Sequence, residues 1–169
     1  MHAARSFAHL AVLVSVAAVA AGCAADDAGE GPGGATAPPL ELRLVTSSDT
    51  GPCSAPPLTT DGPGSACDIG GATTYELGET LGVVTPTSVT REGQAGEAVA
   101  VEFDEADTKT LEDVSGQAIG GQLALLLDGK VLSAPTVHAA ITTSPITFGF
   151  GSAADADRVA ALLGTSATP

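Results

Sequence analysis

The sequence predicts an α+β domain, in which one mostly antiparallel sheet carries two helices on one face. Two observations predict it. Apolar residues alternate with polar ones in several short segments, as in half-buried strands, and recur every three or four residues in two others. Over the second half of the chain these segments follow the order strand, helix, hairpin, strand, helix. That order is typical of a sheet with helices segregated to one side.

The first strand is predicted at residues 40–45, where the sequence reads LELRLV. Its three leucines fall on one face and Glu41 and Arg43 on the other, as in a strand with one face in the core. Residues 46–73 are rich in turn formers, so we interpret them as an irregular excursion from the sheet. The stretches TYELG and LGVVTPTSV, which follow, predict two further short strands.

From residue 97 onward the patterns predict a strand, a helix, a hairpin, a strand and a second helix. EAVAVEF alternates as a strand, and Asp104 is the expected N-cap of the helix that follows. PITFGF predicts the last strand, and the last helix begins after the capping residue Ser152 and stops at Gly164. The apolar residues expected to face the core from these elements are Val99, Val101, Phe103, Leu111, Val114, Ala118, Ile146, Phe148, Phe150, Ala156, Val159, Ala160 and Leu163.

The stretch QLALLLDGKVLSAPTV contains the hairpin. Asp128 and Gly129 lie between two apolar runs, and Asp-Gly predicts a type I′ turn because both central residues of that turn need a positive φ. Ser133 and Ala134 then belong to the end of the returning strand. Pro135 stops that strand, because proline has no N–H for the ladder.

The same stretch has a second interpretation, as a reactive site. Ser133 and Asp128 lie near His138, the only histidine after the N-terminal apolar segment, and the three residues form a conceivable hydrolase triad. No nucleophile elbow of the form GxSxG accompanies them. We therefore favour the hairpin and expect no enzymatic activity, with a small envelope hydrolase as the weaker alternative.

The chain is strongly acidic, with 20 acidic and 6 basic residues. This charge repels phosphate backbones, so we expect no nucleic-acid partner. DEAD at 104–107 spells a helicase motif, but no GxxxxGK[ST] loop accompanies it. Six carboxylates lack the spacing of a calcium loop and would point around a helix axis, so we predict no metal and no cofactor. They are Glu102, Asp104, Glu105, Asp107, Glu112 and Asp113.

The N-terminus predicts export. Residues 1–22 combine Arg5 with an apolar run of about fifteen residues, which is short for a membrane span of roughly 20. The small residues before Cys23 resemble the lipobox of bacterial lipoproteins, although Ala20 stands where leucine is commonest. The resemblance implies that Cys23 carries a diacylglycerol thioether and becomes the new N-terminus. We expect lipid anchoring at the extracytoplasmic face of the bacterial cell membrane; the alternative is an ordinary signal peptide cut elsewhere.

Lipidation of Cys23 leaves two of the three cysteines, Cys53 and Cys67. Since export places them in an oxidising compartment, we expect a disulfide. Closing a loop of about fifteen residues stabilises a fold by roughly 3 kcal/mol. No histidine lies nearby, so a zinc site is not favoured. Residues 23–39, rich in Gly, Ala and Pro, predict a flexible tether between the anchor and the fold.

A family resemblance rests on LALLLDGKVLSAPTV, followed by AAI at 139–141, ITFGF and AADADRVAALL. These motifs resemble the head subdomain of the first extracytoplasmic domain of SecD, the membrane-embedded accessory subunit of the Sec translocon. VAVEFDEADTKTLEDVS fits the preceding strand and helix of that family. The resemblance covers roughly residues 97–163. It implies a ferredoxin-like head subdomain at 91–169, after the strand and stapled excursion at 40–90, with 40–169 forming one globular unit.

The sequence departs from the SecD pattern at three places. TTSP at 142–145 lacks the glycines usual before the last strand, and Ser115 stands where the family often has Thr. The sequence ends at Pro169, where SecD would enter its membrane bundle. Because the proton-coupling machinery of SecD lies in that bundle, the resemblance implies an extracytoplasmic fold that handles exported polypeptides, and no translocation motor.

One face of the predicted sheet is a candidate partner surface. If Val99, Leu125 and Phe148 face the helices, the opposite face is smooth and weakly apolar, which can mark a binding site; the alternative is that residues 46–90 fold over it. The residues expected on this face are Ala98, Ala100, Ala124, Leu126 and Thr147. We expect a non-catalytic lipoprotein that binds exported polypeptides or an envelope partner such as a Sec translocon subunit. A sensory or small-ligand-binding lipoprotein is the alternative.

Overall fold

Eight strands and two helices make up the part of the chain described by the computed structural model, residues 37–93 and 96–164. The predicted signal peptide, Cys23 and most of the tether lie outside the described residues. The elements are β1 (Leu40–Thr50), β2 (Gly64–Cys67), β3 (Thr73–Val84), β4 (Ser88–Glu92), β5 (Ala98–Glu102), α1 (Glu105–Gln117), β6 (Gln122–Leu127), β7 (Lys130–Ser133), β8 (Ile146–Gly149) and α2 (Ala153–Leu162).

The strands form two antiparallel sheets, whereas the sequence patterns predict a single sheet. The larger sheet has the order β2-β3-β1-β6-β7 and the smaller has the order β4-β5-β8. Three residues separate β3 from β4, and one of them is Pro86, which cannot donate to a ladder. The chain therefore leaves the larger sheet at this point. The predicted class, α+β with antiparallel strands and two helices, is confirmed.

The first strand runs beyond its predicted end at residue 45. β1 lies between β3 and β6, with Leu42 opposite Gly82 on one side and Leu125 on the other. Its second half, TSSDT, pairs with the start of β3 although these residues are exposed. The strand is extended here by backbone pairing alone. The sequence has no apolar alternation in this part, so the extension could not be predicted from it.

Both helices begin at their predicted caps. The Asp104 side chain accepts the N–H of Asp107 at 2.8 Å, and the Ser152 side chain accepts the N–H of Asp155 at 3.2 Å. Each bond satisfies one of the N–H groups that a helix N-terminus leaves unpaired. The predicted inner residues of the two helices are buried: Leu111, Val114 and Ala118, then Ala156, Val159, Ala160 and Leu163.

The turn between β6 and β7 has the predicted backbone. Asp128 has φ +48° and Gly129 has φ +72°, the two positive angles of a type I′ turn. The Leu58 N–H donates to the Gly129 carbonyl at 3.0 Å, which brings the excursion against the turn. A Cβ at Gly129 would overlap the Leu58 carbonyl oxygen, so this position requires glycine for space as well as for backbone angle.

Two groups of buried side chains cover the two faces of the larger sheet. The main core joins both helices to both sheets, and includes Leu123, Leu125 and Leu127 from β6. The other face of β6 contributes Ala124 and Leu126 to a second cluster. This cluster contains Ala66, Leu77, Ala124, Leu126 and Val131, with Val45, Leu58, Tyr75 and Ala134 packed against it. Because both faces of β6 are covered, its apolar run is continuous.

The excursion is held over the second cluster by a disulfide and a buried arginine. Cys53 and Cys67 are bonded, with their Cα atoms 5.6 Å apart. Arg43, placed by its alternation on a polar face of β1, is only 1% exposed. Its guanidinium donates to the carbonyl oxygens of Thr60 and Gly62, which lie between the two cysteines. Residues 51–63 of the predicted excursion thus lie over this face of the larger sheet, whereas residues 46–50 and 64–67 are strand residues of the sheet itself.

Candidate functional site

The predicted partner face is not a single surface, because its residues belong to two sheets. Ala124 and Leu126 lie on β6 and are 0% and 1% exposed beneath the excursion. The prediction that they form an open face is wrong: the segment around Leu58 packs over them, so the alternative, that residues 46–90 fold over this face, holds for that segment. Ala98, Ala100 and Thr147 lie on the smaller sheet.

The corresponding face of the smaller sheet is small and polar. Ala98 is half-buried, Ala100 is buried and Thr147 is exposed. The Thr147 Oγ1 donates to the Glu92 carboxylate at 3.3 Å, from β8 to β4 across the alanines of the central strand. A larger side chain at Ala98 or Ala100 would stand in the way of this bond. This face of the sheet therefore provides no apolar patch.

A groove of about 390 Å³ lies beside β8, and we call it the β8 groove. The strand contributes residues of both its faces, so the groove follows the edge of the strand and not one face of the sheet. The opposite wall comes from the segment after β7. The lining residues are Ser133, Pro135, Thr136, Val137, His138, Ala139, Ile141, Ile146, Thr147, Phe148 and Gly149.

The edge of β8 that faces this groove has free backbone groups. β8 pairs only with β5 in its sheet. The Phe150 N–H donates to the Glu97 carbonyl at 2.8 Å. Because hydrogen-bonded pairs recur at every second residue of an antiparallel ladder, Phe148 and Ile146 also bond to β5. Thr147 and Gly149 therefore direct their N–H and C=O groups away from β5, and the described part of the chain offers those N–H groups no acceptor.

The interior of the β8 groove is apolar and its rim is polar. Val137 is 5% exposed, and Ile141, Ile146 and Phe148 are half-buried. His138 is exposed at the rim. An apolar interior with a few convergent polar groups is typical of binding sites.

Two serine hydroxyls, one buried and one half-buried, hold the segment that leads into β8. The Ser115 side chain, 0% exposed, accepts the N–H of Ile141 at 2.8 Å. The Ser144 side chain accepts the N–H of Phe103 at 2.8 Å, beside the cis Ser144–Pro145 peptide bond. Sequence reasoning noted Ser115 only as a departure from the SecD pattern. Ser115 lies four residues after Leu111 and three before Ala118, on the apolar side of the helix. That position in the sequence was the signal that could have indicated its role.

The conceivable hydrolase triad is not brought together. Asp128 lies at the turn end of β7, whereas Ser133 lies at its other end and lines the β8 groove with His138. No hydrogen bond between described residues joins any two of these three side chains. Ser133, Ala134 and Pro135 instead end the hairpin, and the Ala134 carbonyl accepts a hydrogen bond from the Gln122 side chain.

Four of the six carboxylates around α1 have structural partners. Asp104 caps the helix, and the Asp107 carboxylate accepts the N–H of Thr85 at 2.7 Å. Lys109 forms ion pairs with Asp113 and Glu112, and the bond to Asp113, more than any other contact, raises the pKa of Lys109. Among residues 37–93 and 96–164, no group of three or more histidine, cysteine or acidic side chains could hold a metal ion.

A second depression, of about 860 Å³, lies between the start of α1 and residues 142–144. Its charged lining, Glu105, Lys109 and Glu112, belongs to the acidic helix surface just described. It has no free strand edge, so the β8 groove is the stronger candidate. In the described part of the chain, no helix is long and apolar enough to span a membrane.

Comparison with known proteins gives a family match. The model of the family described as "SecDF, P1 head subdomain" matches residues 77–169. The protein translocase subunit SecD of Acidaminococcus fermentans is 39% identical over 79 residues, which are 45% of this chain and 19% of that protein. The protein translocase subunit SecDF of Thermus thermophilus is 35% identical over 72 residues, 42% of this chain and 10% of that protein. The chain thus spans less than a fifth of these relatives.

Among solved structures, the fold is similar to a membrane component SecDF reported to enhance protein export. That similarity has a TM-score of 0.51 at 25% sequence identity, and covers 76% of this chain and 62% of that chain. Its coverage exceeds the residues matched by the family model, so the similar region extends beyond them.

Proposed function

Since this chain belongs to the family of SecDF P1 head subdomains, we propose that it is a non-catalytic accessory to protein export that binds exported polypeptides outside the cytoplasm. The relatives named above are translocase subunits, and the similar solved structure is described as enhancing export. The part of those proteins that this chain resembles is the extracytoplasmic head. Binding is the role that this part supports.

The β8 groove is the observation that carries the proposal. An export factor meets chains of many sequences, so it needs a site that recognises features common to all polypeptides. Free backbone groups at Thr147 and Gly149, beside an apolar interior, are suited to that task. An apolar depression with a polar rim excludes water from such contacts and so strengthens them.

We place the protein at the membrane through Cys23. The small residues before this cysteine and the apolar run ahead of it support lipidation after export. Two or three acyl chains, at roughly 0.8 kcal/mol for each buried CH2, would keep the domain at the membrane surface. Sec translocon subunits are the partners that this position favours. Labelled palmitate should enter the wild-type chain and not Cys23→Ala; equal labelling of the two would argue against the anchor.

Site-specific photocrosslinking in cells tests the binding function. A photoreactive residue replaces His138 at the rim of the β8 groove in the full-length chain, and a second chain carries it at Thr90, exposed on the far strand of the same sheet. We expect position 138 to form adducts with newly exported polypeptides, and position 90 to form few. The same adducts from both positions, or none with exported chains, would contradict the proposal.

A small-ligand-binding lipoprotein is the second candidate. The volume of the β8 groove, about 390 Å³, falls in the range of roughly 300–1,000 Å³ that is usual for small-molecule sites. Under this alternative, one apolar small molecule would co-purify with the full-length chain and would protect position 138 from every polypeptide adduct.

A further inference from the structure

We infer that an extended polypeptide segment binds in the β8 groove as an added strand, paired through its backbone with Thr147 and Gly149, and that uncharged segments flanked by basic residues are preferred. This inference rests on the proposed function and deepens it, because it specifies the conformation and the charge of the bound segment. Strand addition to an exposed edge is a general mode of peptide recognition.

The hydrogen-bonding pattern of β8 supports the added strand. The backbone N–H and C=O groups of Ile146 and Phe148 are hydrogen-bonded to β5, and those of Thr147 and Gly149 point into the groove. These two residues supply two donors and two acceptors, spaced as one repeat of a ladder. A strand placed about 4.8 Å from β8 would meet all four.

The walls of the groove explain how side chains of the added strand would be received. Successive side chains of a strand point to opposite faces. One set would enter the apolar interior, lined by Val137, Ile141 and Phe148, and the other would face solvent. This arrangement fixes the register, because a shift by one residue would exchange the two sets. Apolar or β-branched residues at alternate positions are therefore expected in the bound segment.

Charge supports the choice of occupant. None of the residues that line the β8 groove is Lys, Arg, Asp or Glu. One carboxylate, that of Glu92, is bonded to the Thr147 side chain at the groove. The whole chain carries 20 acidic against 6 basic residues, and four of the basic side chains already pair with carboxylates: Arg43, Arg91, Lys109 and Arg158. An uncharged groove on a chain of net negative charge, with the Glu92 carboxylate beside it, favours a segment whose interior is neutral and whose flanks are basic.

Backbone-edited peptides test the pairing without altering the protein. The probe is a peptide with eight central residues of alternating Val and Thr and two further lysines at each end. Its affinity for the full-length chain is measured by titration in detergent. One derivative carries N-methyl groups on two alternate central amides, and a second carries them on the other two. Only one set of amides can face β8, so we expect one derivative to lose at least tenfold in affinity and the other to match the parent.

Amide hydrogen exchange locates the bound strand. Saturation with the parent peptide should slow exchange at Thr147 and Gly149 and leave Ile146 and Phe148, already bonded to β5, unchanged. Strand addition is contradicted if both methylated peptides bind like the parent, or if neither the Thr147 nor the Gly149 amide is protected from exchange. Slowed exchange at these amides with rising protein concentration and no peptide would show a second copy on the edge, which also contradicts the inference.

A glutamate-flanked peptide tests the charge preference. It should bind at least tenfold more weakly than the lysine-flanked probe at low salt, and the difference should shrink as salt is added. Equal binding at low salt overturns the preference. Photocrosslinking separates these failures from a failure of the function. Adducts at position 138 together with methylation-insensitive binding leave the proposed function standing without strand addition, whereas loss of the adducts removes both.

Discussion

Arg43 and Glu41 lie two residues apart on the same face of β1, and the Arg43 Nη2 donates to the Glu41 Oε2 at 2.8 Å. The Glu41 side chain is 34% exposed, whereas that of Arg43 is 1% exposed. The Arg43 Nε also donates to the Glu41 Oε2, at 3.1 Å, and the two Nη groups donate to the carbonyls of Thr60, Gly62 and Gly78. Because those carbonyls belong to the excursion and to β3, one side chain ties three segments together.

Replacing Arg43 by alanine should lower the free energy of unfolding by about 3–5 kcal/mol. The change removes the donor that Arg43 gives to three carbonyls, and it removes both Arg43 hydrogen bonds to the Glu41 carboxylate, which keeps the Thr80 hydroxyl as a donor. Arg158→Ala is the control, because Arg158 is exposed and its pair with Asp155 spans 4.0 Å; it should change stability by less than about 0.5 kcal/mol. Urea unfolding followed by circular dichroism measures both. Similar midpoints for the two variants would show that Arg43 is not holding the excursion.

Leu126→Glu should unfold the domain or destabilise it by at least about 3 kcal/mol, because Leu126 is 1% exposed in the second cluster. Thr90→Glu puts the same carboxylate at an exposed strand position and should be nearly neutral. Thermal unfolding compares the two. If Leu126→Glu kept its midpoint, the face of β6 beneath the excursion would have to be open.

Gly129→Ala should cost more than about 1–2 kcal/mol, the usual penalty for a Cβ at positive φ. The excess arises because the new methyl group would meet the backbone of Leu58. At Gly151 an added Cβ meets no atom within 4 Å, so Gly151→Ala serves as the matched control and should be tolerated. Chemical denaturation of both variants gives the difference, and equal stabilities would contradict the contact between turn and excursion.

Tyr75 should make stability fall at alkaline pH. Burial, and then the charge of Asp68, raise the pKa of Tyr75 above the ordinary tyrosine value of about 10. The folded state therefore favours the neutral phenol. Its contribution is complete below pH 10, and is lost as pH rises through the raised pKa. Tyr75→Phe should remove this part of the alkaline loss.

The titration itself can be observed directly, since Tyr75 is the only tyrosine in the chain. The ultraviolet absorbance of tyrosinate should rise with a midpoint above that of free tyrosine. Asp68→Asn should bring the midpoint down, because it removes the charge and keeps a side-chain oxygen for the N–H groups of Ala72 and Thr73. A midpoint at the free value in the wild-type chain would refute the effect.

Removing the disulfide with Cys53→Ser and Cys67→Ser together should cost about 3 kcal/mol. A reducing agent should destabilise the wild-type chain by a similar amount and leave the double variant unchanged. Combination with Arg43→Ala should cost less than the sum of the separate losses, because both changes release the same loop. Strict additivity would mean that the disulfide and the arginine act on independent regions.

Local chemistry made much of this fold predictable. The caps at Asp104 and Ser152 and the turn at Asp128 and Gly129 depend on residues a few positions apart, and the structure confirms each one. Burial of Arg43 was not predictable in the same way. Its acceptors at Thr60, Gly62 and Gly78 are backbone carbonyls, which leave no mark in a sequence.

Of the residues predicted on the partner face, only Thr147 lines the β8 groove. The small residues Ala98, Ala100 and Thr147 do lie on one face, but the free strand edge beside Thr147 depends on where β8 ends its sheet. Which strand lies at the edge of a sheet depends on pairings between segments that are distant in the sequence. The alternation of apolar and polar residues predicts only which face of the sheet a side chain lies on. The β8 groove could therefore not be predicted from the sequence, because it depends on the division of the strands into two sheets.

The family match begins at Leu77, which lies inside β3. The strand between β3 and β6 is β1, and it comes wholly before that residue. A fragment starting at the match would lack the middle of its larger sheet and would expose two unpaired inner edges, a configuration prone to aggregation. The segment that the family model matches is therefore shorter than the segment that forms the complete larger sheet. Excision or grafting of this head has to begin ahead of Leu40.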